Sequence, residues 1–183
     1  RVVKRNKALA SGTFDDTRFT GDRAITLGLR LNTPSCGPAT IQGLIDAKRI
    51  NDKLARSVFD ETVQYAKDRK AFGTPIGSFQ LVQAMLADQQ TGVMAGRAMV
   101  REAARLWVSG EDRRIAPSSA KLFCTEMVGK VADLAVQIHG GSGYMREVPV
   151  ERIYREVRLL RLYEGTSQIQ QLIIARETLK RGG

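Results

Sequence analysis

Glu164 is the residue whose place in the sequence most directly suggests chemistry, because it lies in a turn just before the last helix, in the segment YEGTSQIQ (163–170). Ser167 and Gln170 predict that helix start, since they fit a capping box in which each side chain satisfies a free backbone amide. Glu164 has two interpretations there. It is either a helix-end charge that the helix dipole stabilises, or a positioned base that removes a proton.

Two other segments place polar residues and glycines where a helical pattern stops. They are DRKAFGTPIGSFQ at residues 68–80 and QIHGGSGY at residues 137–144. Taken singly, each has an ordinary structural interpretation, with Arg69 as a solvated cation at a helix end and Gly140 and Gly141 as a helix C-cap. The segments gain a functional meaning only in combination.

The composition limits the kinds of site that these residues can form. The 183-residue chain has 43% hydrophobic and 26% charged residues, and no apolar run reaches the roughly 20 residues that span a bilayer. Two cysteines, Cys36 and Cys124, and a single histidine, His139, argue against a disulfide framework and a His-based metal site. We expect a soluble protein without a metal or a membrane anchor, cytoplasmic or, if the source is eukaryotic, in the mitochondrial matrix.

The formal net charge of +10 raises three kinds of partner. Nucleic acid, an anionic membrane and a phosphate-rich ligand such as a nucleotide or coenzyme A would each be attracted to such a chain. Charge alone does not choose among them.

Apolar residues recur at helical spacing from about residue 54, which predicts that this part of the chain is all-α. A first helix would span about 54–70, a second about 78–108, and a third would start at a Ser118 or Ser119 cap. The second helix has two rows of residues spaced by sevens, as in a bundle seam, with small residues that would let a neighbour approach closely. These rows are Leu86, Val93, Val100 and Trp107, and Val82, Gln89, Gly96 and Ala103.

Four long helices with short connections predict an antiparallel four-helix bundle over residues 51–183. Residues 1–50 are rich in Thr, Gly, Asp and Pro and lack the helical period. We expect an irregular or short-stranded segment there, such as the tail of a preceding β domain.

Together the three segments resemble the C-terminal domain of the acyl-CoA dehydrogenase family, in order and in spacing, over residues 55–180. The resemblance implies a flavin enzyme of fatty acid metabolism, with FAD between a middle β domain and this helical domain. It also implies an acyl-CoA substrate, electron-transfer flavoprotein as the acceptor, and a homo-oligomer, dimer or tetramer, in which a neighbouring subunit holds part of each cofactor.

The resemblance implies two sets of FAD contacts. The FAD of an adjacent subunit would be held by Arg69, Phe72, Gln80, Gln137, Gly140 and Gly141. Thr166 and Gln168 would hold the FAD of their own subunit through the free donors of a helix start. The chemistry agrees, because arginine makes bidentate phosphate contacts and glycines let backbone amides approach a pyrophosphate.

The resemblance also makes Glu164 the base that removes the α-proton of an acyl-CoA thioester while a hydride leaves the β-carbon for the flavin. That proton is weakly acidic, so the reaction needs a basic carboxylate in a desolvated pocket and donors for the developing enolate. The amide of Gly165 would be one donor, and Tyr163 and Gly165 would contact the substrate.

Two features depart from the family pattern. The arginine expected 25 residues before Arg69 is Leu44, with Arg49 out of register, and Asp52 and Lys53 stand where small residues are expected. The N-terminal helical domain of the family has no counterpart in these residues. If they were the whole polypeptide, we would expect weak FAD binding or none.

Two other functions fit the same residues. One is a noncatalytic assembly or DNA-binding module of the same fold, which the net charge keeps open, although such a module would not need an intact YEGT segment. The other is an acyl-CoA oxidase, which would share every residue named above.

Overall fold

The structure, a computed structural model, describes residues 46–182. Within them the chain forms five α-helices and one small hairpin, which confirms the predicted all-α class. Residues 1–50 were predicted to be irregular, and residues 1–45 of that segment lie outside the described part of the chain. Residues 46–49 are already helical, so the first helix starts earlier than its apolar pattern indicated.

The elements follow one another with short connections. The first helix continues from a π-helical stretch (Ile50–Ala55) into α1 (Arg56–Asp68). A hairpin of β1 (Lys70–Ala71) and β2 (Thr74–Pro75) comes next. The remaining helices are α2 (Gln80–Ser109), α3 (Ile115–His139), α4 (Pro149–Val157) and α5 (Ser167–Arg181). Within the described part of the chain, none of these helices is both long and apolar enough to cross a membrane.

α3 is the central helix of the bundle, because it packs against each of the other four α-helices. Its buried face consists of small and apolar residues at helical spacing, with Phe123 and Leu134 half-buried at its margins. Removal of such a face from water, at about 25 cal/mol per Å² of apolar surface, is the main term that holds the helices together. Buried apolar members of this face are Ala120, Cys124, Met127, Val128, Val131, Ala135 and Ile138.

α2 and the first helix approach each other closely at Gly96, as the predicted seam requires. A β-carbon at residue 96 would collide with the side-chain amide of Asn51. That amide is buried and donates from Nδ2 to the carbonyl oxygen of Val93 at 2.9 Å. The small residue therefore makes room for a polar anchor between the two helices.

The predicted cap of α3 is wrong. The helix begins at Ile115, so Ser118 and Ser119 lie inside the helix and not at its N-cap. The carboxylate of Asp112 caps the helix start instead, because it accepts hydrogen bonds from the amides of residues 114–116 at 2.8, 2.9 and 3.1 Å. A carboxylate at this place also interacts favourably with the helix dipole.

Candidate active site

The Glu164 turn has an unusual backbone, since two successive residues adopt left-handed conformations. Glu164 has a φ of 52° and Gly165 a φ of 84°. Glycine adopts this conformation freely, but a residue with a β-carbon does so at a cost of roughly 1–2 kcal/mol. Neighbouring groups must therefore hold Glu164 in place, and such strain concentrates at functional sites.

The Glu164 side chain lies partly inside the protein. The residue is half-buried, and its Oε1 atom is shielded from solvent. Tyr163, just before it, is buried together with its hydroxyl. Burial raises the pKa of the Tyr163 hydroxyl, and the negative charges of Asp46 and Glu164 raise it further. The turn thus keeps one carboxylate oxygen away from bulk water.

α5 begins directly after this turn, and its N-cap is Thr166 rather than the predicted Ser167. The Thr166 hydroxyl accepts a hydrogen bond from the amide of Ile169 at 3.3 Å. The Ser167 hydroxyl is turned toward α3, where it donates to Oε1 of Glu126 at 2.7 Å. The predicted capping box is therefore wrong, because the helix starts one residue earlier than the motif suggested.

Gln170 stabilises the Glu164 turn and does not cap α5. Its side-chain nitrogen donates to the carbonyl oxygen of Glu164 at 3.1 Å and to that of Gly165 at 3.4 Å. The residue is 3% exposed. The side chain thus supports the backbone of the turn from the α5 side.

A buried lysine on α3 supports the same turn from the opposite side. Lys121 is 1% exposed, and its Nζ donates to the carbonyl oxygens of Gly165 at 2.7 Å and Leu160 at 3.3 Å. Burial lowers the pKa of Lys121 to about 8, against the opposing effect of three carboxylates, those of Asp46, Glu164 and Glu126.

No role was predicted for Lys121, although the sequence contains a signal for it. Lys121 lies three and seven residues before Cys124 and Val128, so it belongs to the buried face of α3. A lysine on such a face must reach polar partners, because an isolated buried charge costs several kcal/mol. Its partners lie 39 and 44 residues away in the chain.

The segment 68–80 forms a hairpin whose loop leaves an aromatic side chain exposed to solvent. Lys70 pairs with Pro75 across the antiparallel strands, and the two loop residues, Phe72 and Gly73, have φ of 53° and 82°. Two successive positive φ values are typical of the tight type I′ turn of hairpins. Phe72 is 99% exposed and meets the ring of Phe79 only edge to face, at 6.3 Å between centroids.

The ends of α1 and α3 meet through Tyr65 and His139. This contact brings the segments 68–80 and 137–144 together. The two rings stack with centroids 4.0 Å apart, and the Tyr65 hydroxyl donates to the carbonyl oxygen of His139 at 3.3 Å. Gly140 and Gly141, which follow His139, are exposed, and nothing lies within 4 Å of a β-carbon placed on either. We call this surface the hairpin–glycine face; its exposed members are Arg69, Phe72, Gln80, Gln137, Gly140 and Gly141.

The Glu164 turn and the hairpin–glycine face lie far apart on α3. Lys121, which contacts the turn, is near the start of this helix, and His139, which contacts Tyr65, ends it. The 18 positions between them correspond to about 27 Å of α-helix. The structure thus gathers the predicted site residues into two groups and does not bring those groups together.

The donors in both groups suit a ligand with phosphates and a flat ring. α5 is a 15-residue helix, and the backbone amides at its start, near Thr166 and the exposed Gln168, favour an anion. The hairpin–glycine face carries open glycine backbone, an arginine and an exposed phenyl ring. The residues present therefore fit parts of a dinucleotide such as FAD.

Known proteins share the sequence of the bundle. Residues 49–179 match the family model for the acyl-CoA dehydrogenase C-terminal domain. The probable acyl-CoA dehydrogenase YngJ of Bacillus subtilis (strain 168) is 46% identical over 129 residues, or 69% of this chain and 33% of that protein. The caffeyl-CoA reductase-Etf complex subunit CarC of Acetobacterium woodii is 41% identical over 128 residues, or 70% and 34%. The chain thus spans about a third of the length of these relatives.

Solved structures share the fold. An acyl-CoA dehydrogenase from Geobacillus kaustophilus superposes with a TM-score of 0.71 at 36% identity, over 75% of this chain and 36% of that one. The FAD complex of PigA superposes with a TM-score of 0.69 at 30% identity, over 74% and 35%. These likenesses confirm the bundle architecture that the sequence predicted.

Proposed function

The chain belongs to the acyl-CoA dehydrogenase family, and on that basis we propose that it forms the base-bearing part of an FAD-dependent acyl-CoA dehydrogenase. The reaction would be α,β-dehydrogenation of an acyl-CoA thioester. The observation that carries the proposal is Glu164, whose carboxylate has a shielded oxygen and is held in a left-handed turn at a helix start. A helix-end charge of purely structural value would need neither feature.

In this proposal Glu164 takes the α-proton of the substrate. As the proton leaves, negative charge develops on the thioester oxygen, and a backbone amide aimed at that oxygen stabilises it. The amide of Gly165 is available for this task, because it donates to no acceptor among residues 46–182. Bound FAD would supply the acceptor for the hydride that leaves the β-carbon.

The spacing of the two residue groups supports a cofactor shared between subunits. Thr166 and Gln168 would hold the FAD of their own subunit, next to the base. The hairpin–glycine face lies about 27 Å along α3 from that site, so it would hold the FAD of an adjacent subunit. A homodimer or homotetramer follows from this arrangement.

A second candidate is the reverse reaction, reduction of an enoyl-CoA. The likeness to CarC, a reductase subunit from a complex with Etf, favours it. The same residues serve both directions, since a glutamate that removes an α-proton also returns it. That likeness also supports electron-transfer flavoprotein as the redox partner. Assays with an acyl-CoA plus oxidised partner and with an enoyl-CoA plus reduced partner would identify the favoured direction.

The test of the proposal is Glu164→Gln in the FAD-loaded, full-length protein. General-base catalysis contributes about 10²- to 10⁴-fold to a rate, so kcat should fall by that factor while the flavin content stays near normal. Glu61→Gln, at an exposed position on α1, is the control and should leave kcat unchanged. An unaltered rate in Glu164→Gln would exclude Glu164 as the base.

A further inference from the structure

A groove between α3 and α4 is lined mainly by cationic side chains. It has a volume of about 550 Å³, within the range of about 300–1,000 Å³ that is usual for small-molecule sites. Its lining residues belong neither to the Glu164 turn nor to the hairpin–glycine face. We call it the arginine groove; its charged and aromatic lining residues are Lys130, Asp133, Tyr154, Arg155, Arg158 and Arg161.

The arginines of the groove form a row because they recur at every third position. Arg155 lies in the last turn of α4, and a 3₁₀-helix (Arg158–Arg161) follows α4 directly. Side chains three residues apart are neighbours on an α-helix and lie one above the other on a 3₁₀-helix. The three arginines therefore leave the backbone at intervals of about 4.5 and 6 Å along one side of the groove. Such a row matches an elongated anion better than a single small one.

A glycine on α3 makes room for the end of this row. A β-carbon at residue 129 would collide with the guanidinium of Arg161. Without it, Arg161 lies against α3 and forms an ion pair with Glu126, with 3.2 Å between Nε and Oε2. Arg155 is likewise paired with Glu151, at 3.2 Å. Because a guanidinium has five N–H donors, each of these arginines keeps donors for a ligand.

The other two cations of the groove have no partner in the described part of the chain. Lys130 and Arg158 are exposed, and within residues 46–182 neither forms a hydrogen bond or an ion pair. Among the described residues that line the groove, four cations face one carboxylate, that of Asp133. Like charges held this close repel one another, so a bound polyanion would stabilise the groove.

The groove also presents an aromatic ring. Tyr154 lines it and is 47% exposed. Nucleobases stack on exposed aromatic side chains of this kind. The groove therefore combines donors for phosphate groups with a flat surface for a base.

We propose that the arginine groove binds a nucleoside di- or triphosphate. Arg158, Lys130 and the remaining donors of the paired arginines would hold the phosphates, since arginine makes bidentate contacts with phosphate oxygens. Tyr154 would hold the base. This site is additional to those proposed for FAD and the acyl-CoA.

The position of the groove on α3 separates it from both groups of predicted site residues. Gly129, in its lining, lies eight residues after Lys121 and ten residues before His139. These separations correspond to about 12 and 15 Å of helix. We therefore expect a ligand in the groove to bind together with FAD and the acyl-CoA rather than in place of them.

The test is the binding of ATP to the FAD-loaded, full-length protein, measured by isothermal titration calorimetry. A saturating S-alkyl-CoA thioether, an unreactive analogue of the substrate, keeps ATP out of the coenzyme A site. Arg158→Gln should weaken ATP binding by about 10- to 100-fold, as expected for the loss of hydrogen bonds between charged groups. Lys130→Gln should act in the same direction, and it provides the test if Arg158→Gln does not fold.

Two further variants separate the base from the phosphates and from charge in general. Tyr154→Ala should weaken ATP binding by about 5- to 100-fold but change the binding of inorganic tripolyphosphate by less than about twofold. Arg101→Gln makes the same change of charge as Arg158→Gln at an exposed position of α2 outside the groove. It should leave the affinity for ATP within about twofold of the wild-type value.

Absence of ATP binding to the wild-type protein, equal weakening in Arg101→Gln and Arg158→Gln, or equal affinities for tripolyphosphate and ATP would overturn the inference. So would altered subunit association of Arg158→Gln in sedimentation velocity, because another copy of the chain would then occupy the groove. Glu164→Gln should leave the affinity for ATP unchanged whatever its effect on acyl-CoA oxidation. Failure of this inference is thus distinguishable from failure of the proposed function.

Discussion

The ring of Tyr65 stacks on the ring of His139, with centroids 4.0 Å apart and planes 25° from parallel, and its hydroxyl donates to the carbonyl oxygen of His139. Arg69 follows Tyr65 by one helical turn, and Gly140 follows His139 directly. This contact therefore sets the distance between the segments 68–80 and 137–144. It is the link that makes the hairpin–glycine face a single surface.

Replacement of Tyr65 should therefore disturb the hairpin–glycine face, and more so when both the ring stack and the hydrogen bond to His139 are lost. Tyr65→Phe keeps the stack and loses one hydrogen bond, for a loss of about 0.5–1.5 kcal/mol in the free energy of unfolding. Tyr65→Leu loses both, for about 1–3 kcal/mol. Urea denaturation would measure these losses. FAD retention after dilution should fall more for Tyr65→Leu, and equal retention in the two variants would contradict a role for the stack.

Phe72 should matter for assembly and cofactor retention but not for the stability of the chain. Its side chain is 99% exposed, so Phe72→Ala should change the free energy of unfolding by less than about 0.5 kcal/mol. Loss of an aromatic anchor at an interface should nevertheless weaken subunit association or FAD retention about tenfold. Sedimentation velocity and flavin absorbance would measure the two effects.

Val108→Ala is the control for Phe72, since Val108 is also exposed but lies near the other end of α2. It should leave association and flavin content unchanged. If Phe72→Ala behaved like this control, the hairpin–glycine face would not be an interface.

Stability should rise with pH in a way that depends on Lys121. Burial lowers the pKa of Lys121 from 10.5 to about 8, so between these values the unfolded chain binds more protons than the folded one. Folding is therefore favoured progressively as pH rises above about 8, by about 2 kcal/mol at pH 9.5. Below pH 8 the lysine is charged in both states and its contribution is constant.

Lys121→Met should abolish this rise. Denaturation curves of the wild type and the variant, taken at about pH 7.5, 8.5 and 9.5, would give the difference in unfolding free energy at each pH. At pH 9.5 the Tyr163 hydroxyl is partly ionised in the unfolded chain, but this affects the wild type and the variant alike and cancels in their comparison. Parallel curves for the two proteins would show that Lys121 does not titrate as described.

Asp112 should contribute stability that is lost in acid. Burial acts to raise the pKa of Asp112, but hydrogen bonds from the amides of residues 114–116 and from Arg181 together hold it below its usual value. Asp112→Ala should cost about 1–2 kcal/mol at neutral pH. The wild-type advantage is present above the unfolded pKa and should vanish as pH falls through the lower folded value.

Glu111→Ala, at the exposed neighbouring position, is the matched control for Asp112 and should change the free energy of unfolding by less than about 0.5 kcal/mol. Thermal unfolding of the three proteins at neutral and acidic pH would measure both effects. Equal losses in the two variants would contradict the capping role.

The sequence by itself determined the helical class, the approximate helix bounds and the three segments that carry the site residues. Each depends on neighbours a few positions apart: the repeat of apolar residues along α3, the small residues of the α2 seam, and glycines where a helix stops. Such patterns are local, so they can be recognised without knowledge of how distant segments pack.

The tertiary structure decided the partners of the buried polar groups. Several residues near the start of α3 or α5 have side chains that can cap a helix. The path of the backbone into each helix decides that Asp112 and Thr166 form the caps. Likewise, Lys121 meets the Glu164 turn only because α3 packs against residues some 40 positions later in the chain. A buried donor must find whichever acceptor the packing brings within about 3 Å, and local sequence does not encode which segment that will be.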